Sequence, residues 1–354
     1  MYRTVHINPA LPNQPRSSVL VIYTGGTLGM VYDRHNDQLI PFDFEQILDR
    51  VPEIRRLDFE LTVITLNHLI DSSDMHPTIW IDLGRIILKN YQDYDSFVIL
   101  HGTDTMAYTA SALSYLLEGL NKPVILTGAQ LPIGVARTDA RENFITALEI
   151  AAAQQDGKPL VPEVCIYFNS LLLRGNRAKK KESVHFNAFQ SENYPHLAMA
   201  GVRIEYNTPF IAPYHPEATL RLHEKMDTNV VVLPLFPGIS ESVMDSVLHI
   251  PGLRGVVLET FGAGNAPTSP WFLDSLKRAL DAGLVLFNVS QCDGGRVTQG
   301  RYQTSKLLER IGVVSGADIT MEAAITKMMF VLAQESDGQV IRKRLGEPIC
   351  GEMG

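Results

Sequence analysis

The chain has 354 residues, of which 45% are hydrophobic and 20% charged, the composition of a globular protein with about two domains. Its 39 acidic and 31 basic residues leave a net charge of -8, which argues against a general nucleic-acid binder and against attraction to an anionic membrane surface. Three scattered cysteines predict neither a disulfide framework nor a zinc cluster, and we expect no metal and no cofactor.

Short β-rich runs alternate with longer helical patterns along the first part of the chain. We predict strands at 18–23, 59–66, 96–100, 123–127 and 164–168, and helices at 76–90, 106–120 and 139–154. Such an alternation predicts a parallel sheet with helices on both faces. No apolar run has the length of a signal-peptide core or a membrane span, so we expect a cytoplasmic protein.

The segment at 207–227 contains prolines and charged residues without a clear period, and we interpret it as a linker. After it the alternation restarts, with strands at 230–235, 255–258 and 284–288 and helices at 240–248, 269–282, 321–334 and 339–345. We therefore predict an α/β protein of two domains. The N-terminal domain spans 1–210, the linker 211–228, and a smaller C-terminal α/β domain 229–354.

Small and hydroxyl-bearing residues follow three of the predicted strands, where parallel sheets bind their ligands. These segments are Thr24-Gly-Gly-Thr27, His101-Gly-Thr-Asp104 and Thr127-Gly-Ala-Gln130. The paired glycines allow a tight turn and a close approach to a ligand. Taken singly, each segment also fits a plain turn or a helix cap.

A basic run, Arg174 to Lys181, follows the fifth strand, and it fits either a solvated surface loop, a short targeting patch or a source of an ammonium group. Hydroxyl, carboxylate and ammonium on neighbouring loops can together perform nucleophilic acyl transfer. A lysine with a lowered pKa can activate a threonine, and backbone N–H groups of glycine loops can bind an oxyanion.

These motifs resemble the two signatures of bacterial-type L-asparaginases, which match Thr24-Gly-Gly-Thr-Leu-Gly and His101-Gly-Thr-Asp-Thr-Met-Ala-Tyr-Thr. Residues 71–75, 127–129, 174–177 and 262–267 also match, and the likeness extends from about 18 to 345. Without a signal-peptide pattern, the chain is most similar to the cytoplasmic type I group. The resemblance implies a flavodoxin-like N-terminal domain, a smaller α/β C-terminal domain, and hydrolysis of L-asparagine to L-aspartate and ammonia by a homodimer or homotetramer.

The resemblance also implies roles for particular residues. Thr27 is the expected nucleophile, which forms an acyl-enzyme, and Thr103, Asp104 and Lys180 form a second catalytic cluster. Lys180 is preferred to its two lysine neighbours because it lies three residues after Arg177, where the family has its lysine. The expected substrate-binding residues are Asp71, Ser72, Ser73, Ala129 and Asn265.

The chain departs from the family at one position. Members usually carry a tyrosine after the first threonine loop that hydrogen-bonds the nucleophile, and here Leu39 occupies that place. Tyr32 is the nearest phenol, and our hypothesis is that it substitutes for the absent tyrosine. Unchanged turnover of a Tyr32→Phe enzyme would count against it.

Two other functions stay open. The first is a catalytically weak asparagine sensor, which only the departure at Leu39 supports. The second is the asparaginase-like subunit of a tRNA-dependent amidotransferase, although that subunit has an additional N-terminal domain and only a short segment precedes Ser18 here. Ammonia release from free asparagine separates these alternatives from an asparaginase.

Overall fold

A computed structural model describes residues 2–7, 15–33, 38–41, 47, 51–298, 300 and 303–354, with backbone only for 32–33, 38–41 and 303–305. The chain divides into two compact units, Met1–His223 and Glu224–Gly354. Among the described residues, none of the helices combines the length and apolar character needed to cross a membrane.

The first unit is an α/β unit. Its described elements are β1 (Tyr2–Ile7), β2 (Ser18–Tyr23), β3 (Met30–Asp33), β4 (Gln38–Pro41), β5 (Glu60–Leu66), α1 (Pro77–Asn90), β6 (Ser96–Leu100), α2 (Met106–Leu116), β7 (Leu117–Glu118), β8 (Val124–Thr127), α3 (Ala140–Ala152), β9 (Gln154–Gln155), β10 (Lys158–Pro159), β11 (Val164–Phe168), β12 (Leu171–Arg174), β13 (Lys179–Lys180), β14 (Phe189–Gln190), β15 (Ala198–Ala200), β16 (Ile204–Tyr206) and β17 (Arg221–Leu222).

The large sheet of this unit has the strand order β1-β5-β2-β6-β8-β11-β12-β15-β16. Its central strands β5, β2, β6, β8 and β11 pair in parallel. Numbered along the chain, these five strands have the order 2-1-3-4-5, which is the flavodoxin-like arrangement. The predicted fold class is confirmed.

Both faces of the sheet are buried in hydrophobic clusters. Alternate residues of a strand point to opposite faces, so one strand contributes to both clusters. In β2, Val19, Val21 and Tyr23 belong to one buried cluster, whereas Leu20 and Ile22 belong to the other. A strand buried on both faces reads as a continuous apolar run, and such runs predicted the central strands correctly. Each fully buried aliphatic side chain contributes roughly 1.5–3 kcal/mol to the stability of the folded state.

The strands at both edges of the sheet were not predicted. β1 pairs antiparallel with β5, and β12, β15 and β16 extend the opposite edge as antiparallel strands. In β1 only Ile7 is fully buried, and β15 and β16 have three residues each. Strands that are short, or that bury only some of their residues, lack the continuous apolar run that identified the central strands of the sheet.

The helix predicted at 106–120 is wrong at its end. α2 ends at Leu116, because the next two residues form β7 and pair with β17. The segment that we predict as a linker therefore carries a strand that belongs to the first unit, together with a 3₁₀ turn at Thr208–Phe210. The bounds of the linker stay a prediction.

The second unit is a smaller α/β unit, as expected. Its described elements are β18 (Val230–Pro234), α4 (Glu241–Leu248), β19 (Gly255–Thr260), α5 (Pro270–Asp281), β20 (Val285–Ser290), α6 (Gln303–Ile311), β21 (Val314–Ser315), α7 (Met321–Gln334) and α8 (Gly338–Gly346). The four strands pair in parallel in chain order. Helix α6 was not predicted, although Leu307, Leu308 and Ile311 recur at helical spacing.

A buried ion pair attaches the C-terminal segment to helix α7. The side chains of Lys327 and Glu352 are both fully buried, with Nζ 2.7 Å from Oε1. The ammonium also donates to the carbonyls of Leu345 and Glu347, and the carboxylate accepts from the Ile349 backbone N–H. Burial lowers the pKa of Lys327, and the charge of Glu352 opposes that change.

Replacing Glu352 by glutamine should therefore destabilise the protein strongly. The Glu352→Gln change preserves the side-chain volume but leaves the Lys327 charge buried without its counter-charge, which costs about 3–5 kcal/mol. Urea unfolding measures this loss. The Arg344–Glu335 pair is partly exposed, so Glu335→Gln is the matched control and should cost less than about 1 kcal/mol. Equal losses in the two variants would contradict the prediction.

Candidate active site

Hydrogen bonds join the loops that follow the central strands of the large sheet. Both the backbone N–H and the hydroxyl of Thr24 donate to the Leu100 carbonyl, and the His101 N–H donates to the Thr127 carbonyl. The Thr127 hydroxyl donates in turn to the Tyr167 carbonyl. The chain order of the strands reverses between β2 and β6, so the first two loops flank the switch point where such sheets bind ligands.

Two glycines allow three of these loops to touch. Gly26 has φ +87°, and a methyl group added to it would lie 2.5 Å from the Gly102 nitrogen. A methyl group on Gly102 would lie 2.5 Å from Ser72 Oγ. Any side chain at either position would therefore separate the loops.

Thr27 is the first residue of a 3₁₀ turn, Thr27–Gly29, directly after Gly26. It is partly exposed, whereas Leu28 beside it is fully buried. The Tyr23 hydroxyl donates to the Gly29 carbonyl, and burial raises the pKa of this phenol. The turn is thus anchored on its inner side and presents Thr27 at the surface of the loop.

The predicted residues Thr103, Asp104 and Lys180 lie in one hydrogen-bonded cluster. Lys180 Nζ donates to Thr103 Oγ1 at 2.8 Å and to Asp104 Oδ1 at 2.6 Å. The lysine side chain is 17% exposed and the aspartate side chain 64%. Lys180 is held in a short hairpin, in which β13 pairs with β14.

Gln130 also contacts this cluster, and sequence reasoning assigned it no role. The Thr103 hydroxyl donates to Gln130 Oε1 at 3.3 Å, and Gln130 Nε2 donates to the His185 carbonyl at 3.1 Å. The Asp139 carboxylate accepts hydrogen bonds from the backbone N–H groups of Gln130 and Leu131. The available sequence signal was its position in the loop after the fourth predicted strand.

The segment Asp71–Ser73 lies against the same loops. The Asp71 carboxylate accepts from the Ser73 backbone N–H and from the Ser73 hydroxyl, and these two bonds lower its pKa. Ser72 is 3% exposed, and its carbonyl accepts a hydrogen bond from the Thr105 hydroxyl at 2.6 Å. Ser72 is thereby tied to the loop that carries Thr103.

The remaining predicted residues lie in different settings. Ala129 is buried in the loop after β8, and Asn265 belongs to the second unit, where its backbone bonds with Phe261 in a tight turn. Tyr32 lies in β3 with its backbone opposite Leu39 of β4. The Tyr32 side chain is outside the described part of the structure, so its proposed contact with the nucleophile stays a prediction.

A chain of buried hydrogen bonds supports the Thr103 loop from behind. Trp80 Nε1 donates to Thr109 Oγ1, the Thr109 hydroxyl donates to His101 Nε2, and His101 Nδ1 donates to the Gly102 carbonyl. The carbonyl can only accept, which places the ring proton on Nδ1. Burial lowers the pKa of His101 to about 4, so the ring is neutral at pH 7.

Comparisons of the sequence and of the structure with known proteins agree with one another. The family model "Asparaginase, N-terminal" matches residues 18–212, and "Glutaminase/Asparaginase C-terminal domain" matches residues 229–345. L-asparaginase 1 of Escherichia coli K12 is 42% identical, over 96% of this chain and 98% of that protein. A solved structure of L-asparaginase I from Vibrio cholerae aligns with a TM-score of 0.86 and 37% identity, over 96% and 99% of the two chains.

A protein named for a different activity is also similar to this chain. A glutamyl-tRNA(Gln) amidotransferase subunit of Methanopyrus kandleri is 33% identical, over 99% of this chain and 76% of that protein. The matched region is therefore shared by proteins that are named for more than one activity.

The neutral state of His101 predicts a pH-dependent stability. An unfolded histidine has a pKa near 6.5, so between about pH 6.5 and 4 the unfolded chain binds a proton that the folded chain does not. The neutral ring contributes its full stabilisation of the folded state above pH 6.5. As the pH drops from 6.5 to 4, the free energy of unfolding falls by up to about 3 kcal/mol. Urea unfolding of wild type and His101→Gln between pH 7 and 4.5 should show a weaker pH dependence in the variant.

His68 provides the control for this experiment because it is exposed. His68→Gln should retain the wild-type pH dependence. The same pH dependence in all three proteins would contradict the assignment.

Proposed function

This chain belongs to the asparaginase family, and from that membership we propose that it hydrolyses L-asparagine to L-aspartate and ammonia. The observation that carries the proposal is the Lys180–Thr103–Asp104 cluster, whose loop abuts the loop of Thr27 at Gly26 and Gly102. The Thr103 hydroxyl, the Asp104 carboxylate and the Lys180 ammonium thereby lie together near the switch point of the sheet.

In the proposed first step, Thr27 Oγ attacks the side-chain amide carbon of asparagine. A C–O bond forms, the C–N bond breaks, and the hydroxyl proton leaves with the nitrogen as ammonia. Water then hydrolyses the ester, which releases aspartate and restores the Thr27 hydroxyl. The partly exposed position of Thr27 on an anchored turn supports this role, because a nucleophile must be accessible and held in place.

We propose that Thr103, Asp104 and Lys180 assist both steps. The ammonium already lies within hydrogen-bond distance of the Thr103 hydroxyl, so it can polarise that group. Asp104 is largely exposed at the site. Its carboxylate binds Lys180 and can at the same time bind the ammonium group of the substrate.

We propose that a further set of residues binds the substrate. Ser72 and Ser73 bind the α-carboxylate and α-amino groups, and the ionised Asp71 orients Ser73 through the two hydrogen bonds it accepts. Ala129 offers its backbone to the leaving amide, and Asn265 completes the site of a neighbouring subunit. Glutamine should react more weakly because its extra methylene must fit a pocket shaped for the shorter chain.

The arrangement with Asn265 implies a homodimer or a homotetramer, and we place the enzyme in the cytoplasm. Sedimentation velocity gives the oligomeric state directly, and a monomer that retained full activity would exclude a shared site.

Ammonia release from L-asparagine tests the proposed function. Thr27→Ala should reduce kcat/KM by on the order of 10³-fold or more because it removes the nucleophile. Lys180→Met should reduce it about 100-fold or more because it removes the cation of the cluster. The matched controls, exposed Thr228→Ala and the neighbouring exposed Lys181→Met, should retain wild-type rates.

Each alternative predicts a different result in the same assay. Binding of asparagine by the wild-type protein without ammonia release would favour a sensor. Absence of binding to free asparagine would favour a component of an amidotransferase.

A further inference from the structure

The side chain of Gln130 bridges the Thr103 hydroxyl and the carbonyl of His185. Its Oε1 lies 3.3 Å from Thr103 Oγ1, and its Nε2 lies 3.1 Å from the His185 oxygen. His185 belongs to the loop between β13 and β14, the hairpin that also carries Lys180. Gln130 thus connects the hydroxyl of the cluster to the hairpin that supplies its ammonium.

The chemistry of these groups determines the direction of every hydrogen bond. A backbone carbonyl can only accept, so the NH₂ group of Gln130 must face His185 and its carbonyl oxygen must face Thr103. That oxygen also only accepts, so the Thr103 hydroxyl must be the donor. The Lys180 ammonium has only donors and therefore occupies a lone pair of Thr103 Oγ1.

One acceptor position of the Thr103 hydroxyl remains after these two bonds. A hydroxyl has one proton and two lone pairs. The Thr103 hydroxyl donates its one hydrogen bond to Gln130, and one of its lone pairs accepts a hydrogen bond from the Lys180 ammonium. Toward a bound molecule, Thr103 is consequently a hydrogen-bond acceptor and not a donor. An acceptor of this kind suits a water molecule that attacks an acyl group, because such a water must be oriented through its protons.

We propose that Gln130 is a positioning residue that holds the Thr103 hydroxyl in this accepting orientation during catalysis. The inference deepens the proposed asparagine hydrolysis and rests on it.

The backbone around Gln130 is held in a way that suits this role. The Asp139 carboxylate accepts from the N–H groups of Gln130 and Leu131, at 2.9 Å and 3.1 Å for their shortest contacts. The Thr138 hydroxyl donates to the Leu131 carbonyl at 2.9 Å. With its backbone tied at consecutive residues, Gln130 loses only side-chain freedom when it spans the two partners.

Two substitutions test the proposal through asparaginase kinetics. Gln130→Met has a similar length and no hydrogen-bonding amide, so it should lower kcat about tenfold while KM stays within about twofold, at every pH. Gln130→Glu should behave differently because its ionised carboxylate can only accept and would face the His185 carbonyl. Once protonated, the carboxyl can donate to His185 and accept from Thr103, as the amide does.

The activity of Gln130→Glu relative to wild type should therefore rise as the pH falls through the pKa of the new carboxyl, whereas the Gln130→Met ratio stays flat. The exposed Lys181→Met, in the same hairpin, should leave kcat unchanged. Thermal melting of each variant reports whether it folds.

The outcomes separate this inference from the proposed function. If wild type releases no ammonia from asparagine, the proposed function fails. If wild type is active and folded Gln130→Met has the same kcat, only the inference fails. Equal losses in the Met and Glu variants at all pH values would show a packing role and would also overturn it.

Discussion

The hydrogen bonds of the Lys180 ammonium are the constraint on which the candidate site depends. They join a hairpin that follows the fifth parallel strand to the loop that follows the third, across 77 and 76 residues of sequence. An ammonium that is largely shielded from water needs acceptors, and the Thr103 hydroxyl and the Asp104 carboxylate supply them. The same bonds hold the hydroxyl and the carboxylate at one point.

The flavodoxin-like sheet makes this meeting possible. Parallel strands end at a common edge, so every loop after a strand starts near its neighbours. Gly26 and Gly102 then let the loops approach to distances that a side chain would prevent. Behind them, His101 is neutral and buried and holds the Gly102 carbonyl, so the loop is supported on the side away from solvent.

The sequence predicted the fold better at its centre than at its edges. Central strands such as β2 and β6 are buried on both faces, so their apolar runs are recognisable without any knowledge of their neighbours. The edge strand β1 has one buried end and mixed polarity, and β7 replaces the last turn of a predicted helix because β17 is available to pair with it. Pairing with a distant partner leaves little trace in local composition.

For the candidate site, the sequence by itself determined which loops carry glycines, hydroxyls and charges, and its resemblance to a family suggested Thr27, Thr103, Asp104 and Lys180. These are properties of short segments, which a single sequence contains in full. Only the tertiary structure decided that Lys180 lies against Thr103, that Gln130 accepts a hydrogen bond from the Thr103 hydroxyl, and that His101 is buried with a lowered pKa. Those features depend on distances and solvent exclusion between residues remote in sequence, and the folded chain alone establishes them.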